Sequence, residues 1–157
     1  MTYEYICLIN ISKKLALNNN TDRAIAVLKK ALKIDSTRIE AYYGLGYCYT
    51  QNCYENKLNC DKGIHYLNIC IEKDKNYRNA LFNRATCKSN LGNLKGALVD
   101  LNNAIKKDST DSDYFMNRAW VKLQLKDTVG TCLDYKRAIK LGEVKGNKRF
   151  KNLCTQK

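Results

Sequence analysis

Between Leu81 and Ile105 the apolar residues fall into two runs: Leu81, Phe82 and Ala85, then Ala97, Leu98, Leu101, Ala104 and Ile105. Gaps of three and four within each run put these side chains on one face of a helix and leave the other face polar. The break between the runs is Leu91-Gly92-Asn93. Glycine suits the left-handed residue that ends a helix, and asparagine suits the cap that begins the next one. The pattern predicts a helix, a tight turn and a second helix. Asn20, Asn59 and Asp127 stand at the equivalent cap position elsewhere in the chain. The alternation of aromatic and β-branched residues that marks a strand is absent.

The hairpin repeats. Asn83-Arg84-Ala85 returns as Asn117-Arg118-Ala119, Ala104-Ile105-Lys106 as Ala138-Ile139-Lys140, and Asp100 as Asp134, each 34 residues on. A fixed period of this size marks an array of one supersecondary unit. Small residues carry the period through the rest of the chain. Steps of twelve and seven link Ala85, Ala97 and Ala104; Ala119, Thr131 and Ala138; and Ser12, Ala24 and Ala31. Gly46, Gly63 and Cys70 keep the step of seven but lengthen the first to seventeen, which places a five-residue insertion between Cys53 and Asn59. The separation of two packed helices is set by the side chains at the contact. Small residues at these steps let the two backbones of one unit meet closely. Four units are expected at about residues 5–38, 39–77, 78–111 and 112–145, with a capping helix over 146–157, all in one domain.

This pattern resembles the tetratricopeptide repeat (TPR), a 34-residue helical hairpin with small residues at three set positions. The unit Arg78 to Asp111 carries Ala85, Gly92, Ala97, Leu101 and Ala104 at the family's signature places. One feature departs from the family. Proline usually ends each second helix, and here Ser36, Lys75, Ser109 and Glu143 stand there, which implies looser helix termination.

The resemblance implies an all-α, right-handed superhelical α-solenoid of four hairpins plus a short C-terminal capping helix, with the first helices lining the concave face. Its inward residues are then Ile9, Asn10 and Lys13; Tyr43 and Tyr47; Phe82, Asn83 and Thr86; and Met116, Asn117 and Trp120. Asn10, Asn83 and Asn117 share one repeat position, and asparagine can bridge a peptide backbone as both donor and acceptor. The aromatics either anchor a partner or seal the joints between neighbouring units. The implied function is a non-catalytic scaffold that holds a protein or peptide segment in the concave groove. A clamp of lysine, asparagine and arginine for a C-terminal carboxylate, carried by some relatives, is missing: its places read Ile9, Lys13, Gly44, Asn79 and Asn83. Arg84 and Arg118 each precede an aspartate by sixteen residues, Asp100 and Asp134, and are expected to pair with it across the hairpin turn.

Charge adds a competing clue. Twenty-eight Lys and Arg against fifteen Asp and Glu give a net charge of +13. Such an excess favours an acidic partner, a nucleic acid or an anionic surface. Eight of these cations cluster at the ends of second helices: Lys29, Lys30 and Lys33; Lys106 and Lys107; Lys136, Arg137 and Lys140. There they complement the helix dipole and face solvent on the convex side. Nucleic-acid binding through that face and the basic tail stands as the alternative function, although it calls for exposed aromatics among the basic residues.

No apolar run approaches the length that spans a membrane. The N-terminus carries Glu4 and lacks both a basic leader and an apolar core, so no signal peptide is expected. The eight cysteines would suit a disulfide scaffold, but Cys70 fills a small-residue slot, and Cys7, Cys48, Cys87 and Cys132 fall inside predicted helices. Only Cys53 and Cys60, flanking the insertion, stand where they can pair. A reducing, cytoplasmic setting is the expectation. No C-x-x-C occurs and His65 is the single histidine, so neither a metal, a cofactor nor a catalytic imidazole is expected. In the tail, Phe150 and Leu153 are expected to cover the last unit while Lys148, Arg149 and Lys151 solvate the cap. The chain is expected as a monomer or a weak dimer joined through that C-terminal end.

Overall fold

The computed structural model describes residues 2–54, 56–142 and 148–155. Among them are nine α-helices and no strand: α1 Tyr3–Leu17, α2 Thr21–Ile34, α3 Ile39–Gln51, α4 Lys57–Lys73, α5 Arg78–Asn90, α6 Leu94–Lys107, α7 Ser112–Gln124, α8 Thr128–Lys140 and α9 Lys148–Thr155. Each helix packs on its neighbours in the chain, and the first helices also touch one another, α1 on α3, α3 on α5 and α5 on α7. This is an α-solenoid of four hairpins closed by a C-terminal helix. Its core is a series of small clusters strung along the stack.

The small residues lie where the period puts them. Ser12, Ala24, Ala31, Gly46, Gly63, Cys70, Ala85, Ala97, Ala104, Ala119, Thr131 and Ala138 are all buried. The need for small size is sharpest at Gly46, where a Cβ would come within 2.6 Å of Leu67 Cγ. Cys70 is a free, fully buried thiol whose pKa burial pushes up to about 12, so it packs as a small apolar side chain.

The turns follow the pattern with one shift. Gly92 adopts φ +82, and the Asn93 side chain accepts the Gly96 N–H at 2.9 Å. Asp127 caps α8 in the same way, accepting the Gly130 N–H at 2.8 Å, after Lys126 in the left-handed conformation. Asn20 begins α2 without a side-chain cap. Asn59 is not a cap: α4 starts earlier, with Asn56 accepting the Leu58 N–H at 2.9 Å. The insertion explains this. Helix α4 has 17 residues against 14 in α6, and the α3–α4 connection has five residues (52–56) against three (91–93), which together make up the extra five.

Helix termination is not loose, despite the missing prolines. Asp35, Asp74 and Asp108 end α2, α4 and α6 in extended conformation, and each carboxylate accepts the backbone N–H two residues on, from Thr37, Asn76 and Thr110, at 2.8–2.9 Å. Thr37 and Thr110 add hydroxyl bonds at 2.6 Å, which with the backbone bonds hold the Asp35 and Asp108 carboxyls below their ordinary pKa. An aspartate turn performs the stop that proline performs in the family. Glu143, at the fourth such place, lies outside the described residues.

Two buried carboxylates tie the later units together. Arg84 donates from Nε and Nη2 to Asp100 at 2.9 and 2.6 Å, and from Nη1 to Asn68 at 2.8 Å. Lys88 reaches the same carboxylate at 2.8 Å. One period later Arg118 repeats the pattern with Asp134, Asn102 and Lys122. Each arginine therefore joins three successive helices, which is a structural use of the charge.

Four of the eight cysteines are bridged, Cys53 to Cys60 and Cys132 to Cys154. The first pair flanks the insertion, as its spacing suggests. The second joins α8 to α9, which carries Phe150 buried against Ala119 and Tyr135. The Cys132–Cys154 pair is one that the helical placement of Cys132 does not suggest. Among the described residues no helix is long and apolar enough to cross a membrane.

Candidate protein-binding groove

A cavity of about 310 Å³ opens between α1 and α3. Its floor is apolar and tightly built: Ile9 and Ala16 from α1, Leu28 from α2, and Gly44 and Cys48 from α3. Gly44 lies so near Leu28 that a Cβ would come within 2.8 Å of Leu28 Cδ2. Tyr43 and Tyr47 form one wall, their rings 6.4 Å apart. Lys13 and Glu40 bring charge to the mouth. Burial opposes the charge on Glu40, but its own backbone N–H and the Arg38 guanidinium at 2.8 Å outweigh it, so its pKa falls.

Four of the sequence-predicted inward residues, Ile9, Lys13, Tyr43 and Tyr47, thus meet in one cavity. The aromatic wall continues to Tyr77, whose ring lies 5.0 Å from Tyr43. Tyr77 sits just before α5, outside any first-helix position, so the repeat pattern does not point to it. Both wall hydroxyls accept a bond from a side-chain amide. Asn83 Nδ2 donates to Tyr43 Oη at 3.3 Å, and Gln51 Nε2 donates to Tyr47 Oη at 2.8 Å. Burial, then the neighbouring Tyr77, pushes the Tyr43 pKa up to about 12. Its hydroxyl therefore keeps its proton, and that proton remains for donation.

The three asparagines of the shared position have different surroundings. Asn10 is exposed on the outer side of α1, beside Cys7 and Lys14. Asn83 is 7% exposed and engaged with Tyr43. Asn117 donates to the Asp113 carbonyl of its own helix at 3.0 Å. They do not form a row of open amides, because neighbouring units differ at each level of the stack. Phe82 packs its ring 5.1 Å from Tyr114 and takes the sealing role between α5 and α7. The Thr86 hydroxyl donates back to the Phe82 carbonyl at 3.2 Å. Met116 packs toward Phe150 under α9, and Trp120 is 40% exposed on α7.

The basic residues of the second helices, Lys29, Lys30, Lys33, Lys106, Lys107, Lys136, Arg137 and Lys140, are all exposed. His65 is exposed on α4, edge-on to Tyr66.

Paired helices, small residues at their contacts and an apolar groove along the first helices define a tetratricopeptide-type solenoid. Residues 14–52 match the family model described as TPR repeat, and the chain has the tetratricopeptide-repeat fold. Solved structures with this fold include a MamA protein at TM-score 0.79 and 18% identity, covering 98% of this chain and 82% of that one. Another is TTC0263, a thermophilic TPR protein of Thermus thermophilus, at 0.78 and 15%, covering 96% and 79%. A third is MamA from residue 41 to the end, from Desulfovibrio magneticus RS-1, at 0.74 and 15%, covering 89% and 76%. At these identities the likeness is one of fold. No curated protein matches the sequence. The TPR fold generally mediates protein–protein interaction.

Proposed function

We propose that this chain is a non-catalytic scaffold that holds an extended peptide segment against α1, α3 and α5, its repeats acting as one domain. The observation that carries this reading is the α1–α3 cavity with its two tyrosine hydroxyls. An apolar side chain of leucine or phenylalanine size enters over Leu28 and Gly44. The Tyr43 and Tyr47 hydroxyls, each already accepting from an amide, donate to backbone carbonyls of the segment. Lys13 favours an acidic residue beside the apolar anchor, and the net charge of +13 speeds encounter with such a segment. Asn83 acts from behind, orienting Tyr43.

The test is peptide display against the wild-type protein, followed by affinity measurement on Tyr47→Ala and Lys13→Glu. Selected peptides should pair a large apolar residue with an acidic one. Loss of the Tyr47 anchor should weaken them about 30-fold, the equivalent of roughly 2 kcal/mol per aromatic anchor. Peptides that bind both variants as tightly as wild type would place the binding surface elsewhere.

A further inference from the structure

The two disulfides stand in different surroundings. Cys53 is 2% exposed and Cys60 fully buried, and with Cys87 they form a cluster packed against Ile64 and Leu91. The Asn90 side chain also lies on Cys53 Sγ at 3.5 Å. Cys132 and Cys154 are only partly buried, and their bridge joins α8 to α9. Lys136 follows Cys132 by one turn and Lys151 precedes Cys154 by one turn, both exposed. A thiolate that attacks this bridge, and the one that leaves it, therefore meets positive charge. Access and thiolate stability both favour thiol–disulfide exchange here over exchange at the buried pair.

Helix α9 depends on that bridge. Each of α1 to α8 buries at least three residues. Among the described side chains of α9 one is buried, Phe150, with Leu153 and Cys154 half-buried. A helix of eight residues does not persist by itself in water, and ordering it costs backbone entropy at every residue. Against that cost stands one phenyl ring packed on Met116, Ala119, Leu123 and Tyr135. The bridge tips the balance by keeping α9 within reach of α8 in every state of the chain.

We propose that Cys132–Cys154 is a redox-operated latch on the C-terminal cap. A soluble dithiol opens it while Cys53–Cys60 stays closed, and α9 then detaches from α7 and α8. The exchange runs through two steps. One thiolate of the dithiol attacks a sulfur of the bridge, the S–S bond breaks, and the other cysteine leaves as a thiolate that takes up a proton. The second thiol of the reagent then attacks the mixed disulfide and frees the remaining cysteine. Two electrons pass from the dithiol, which leaves as a cyclic disulfide, to the bridge, which becomes two thiols. Detachment uncovers Met116, Ala119, Leu123 and Tyr135, so the last hairpin changes from a closed end to an apolar one. Reoxidation reverses both changes.

The experiment titrates the folded wild-type chain, first oxidised with glutathione disulfide, with dithiothreitol. At each step free thiols are alkylated and located by peptide mass spectrometry, and hydrogen exchange is followed on an unalkylated portion of the same sample. Cys132 and Cys154 should become reactive at about 10-fold or more lower dithiothreitol than Cys53 and Cys60. Exchange in α9 should rise in step with them while α3 to α6 keep their protection. Cys132→Ser should show the raised exchange without reductant and no further change with it. Opening of Cys53–Cys60 first or at the same concentration would overturn the proposal. So would an α9 that stays protected once Cys132 and Cys154 react, or free thiols at these two positions after oxidation. The order of opening is read on wild type, so it decides the matter even where Cys132→Ser fails to fold.

Discussion

Replacing Asp100 by alanine tests whether the buried charge network holds the middle units together. The Asp100 side chain is 2% exposed and accepts three bonds, two from Arg84 and one from Lys88, at 2.6–2.9 Å. Bonds to charged groups contribute about 1.5–3 kcal/mol each, and the simple sum would exceed about 4 kcal/mol. That sum is too large, because the three share one carboxylate and are not independent. The cations keep some access to water, 18% for Arg84 and 21% for Lys88, and Arg84 retains Asn68. Breaking a buried pair by removing one partner costs about 3–5 kcal/mol, and this residual solvation puts Asp100→Ala near ~3 kcal/mol. With a urea slope of about 2 kcal/mol/M, the midpoint falls by roughly 1.5 M. Circular dichroism at helical wavelengths follows the transition. Arg84→Leu/Asp100→Leu should recover most of the loss, because no guanidinium stays half-buried without its carboxylate and Lys88 can turn to solvent. A midpoint shift under about 0.3 M for Asp100→Ala, or a double variant as unstable as the sum of its singles, would refute the reasoning.

Three further expectations follow from the packing, the bridge and the buried ionisable groups. Gly46→Ala drives a Cβ to 2.6 Å from the fully buried Leu67 and should cost about 1–3 kcal/mol; Leu67→Ala in the same chain should cost less than it does alone, and full additivity of the two melts would argue against the clash. Cys154→Ser opens the bridge to Cys132 across 22 residues, a constraint of about 3 kcal/mol in chain-entropy terms; hydrogen exchange should rise in α9 and the end of α8 while α1 to α6 keep their protection, and a uniform rise would contradict a local clasp. Burial raises the pKa values of Cys48, Cys70 and Tyr43 to about 11, 12 and 12, from ordinary values of 9, 9 and 10. Between about pH 9 and about 12 the unfolded chain loses protons that the folded chain keeps, so stability is full below about pH 9 and falls with rising pH; Cys70→Ala should flatten part of that fall in melting temperature, and an unchanged slope would count against it.

Much of the architecture is legible in the sequence because it is written in local period. The spacing of apolar residues sets the helices, and steps of twelve and seven set which backbones touch. The recurrence of Arg84 and Asp100 as Arg118 and Asp134 marks the ion pairs by spacing alone. The insertion also yields to arithmetic, although not to the point of showing that α4 begins early and makes Asn56, not Asn59, its cap. Helix termination is legible in principle: Asp35-Ser36-Thr37 and Asp108-Ser109-Thr110 spell the aspartate turn that stands in for proline. The missing proline suggests a loose end only when those neighbouring aspartates are left out of account.

Other features arise only when the units stack, for a common reason. A repeat position fixes a side chain's direction on its own helix, while its partners come from the unit beside it. Asn10, Asn83 and Asn117 are equivalent in period, yet one is exposed, one holds a tyrosine and one bonds its own helix, because each meets different side chains in the stack. The Cys132–Cys154 bridge depends on where the cap folds back, which no spacing encodes. The cavity between α1 and α3 likewise exists only once Leu28 and Gly44 meet beneath the two tyrosines. Local period was enough to specify the helical hairpins and their order along the stack; the packing of each unit on the next selected which side chains stay open to the groove.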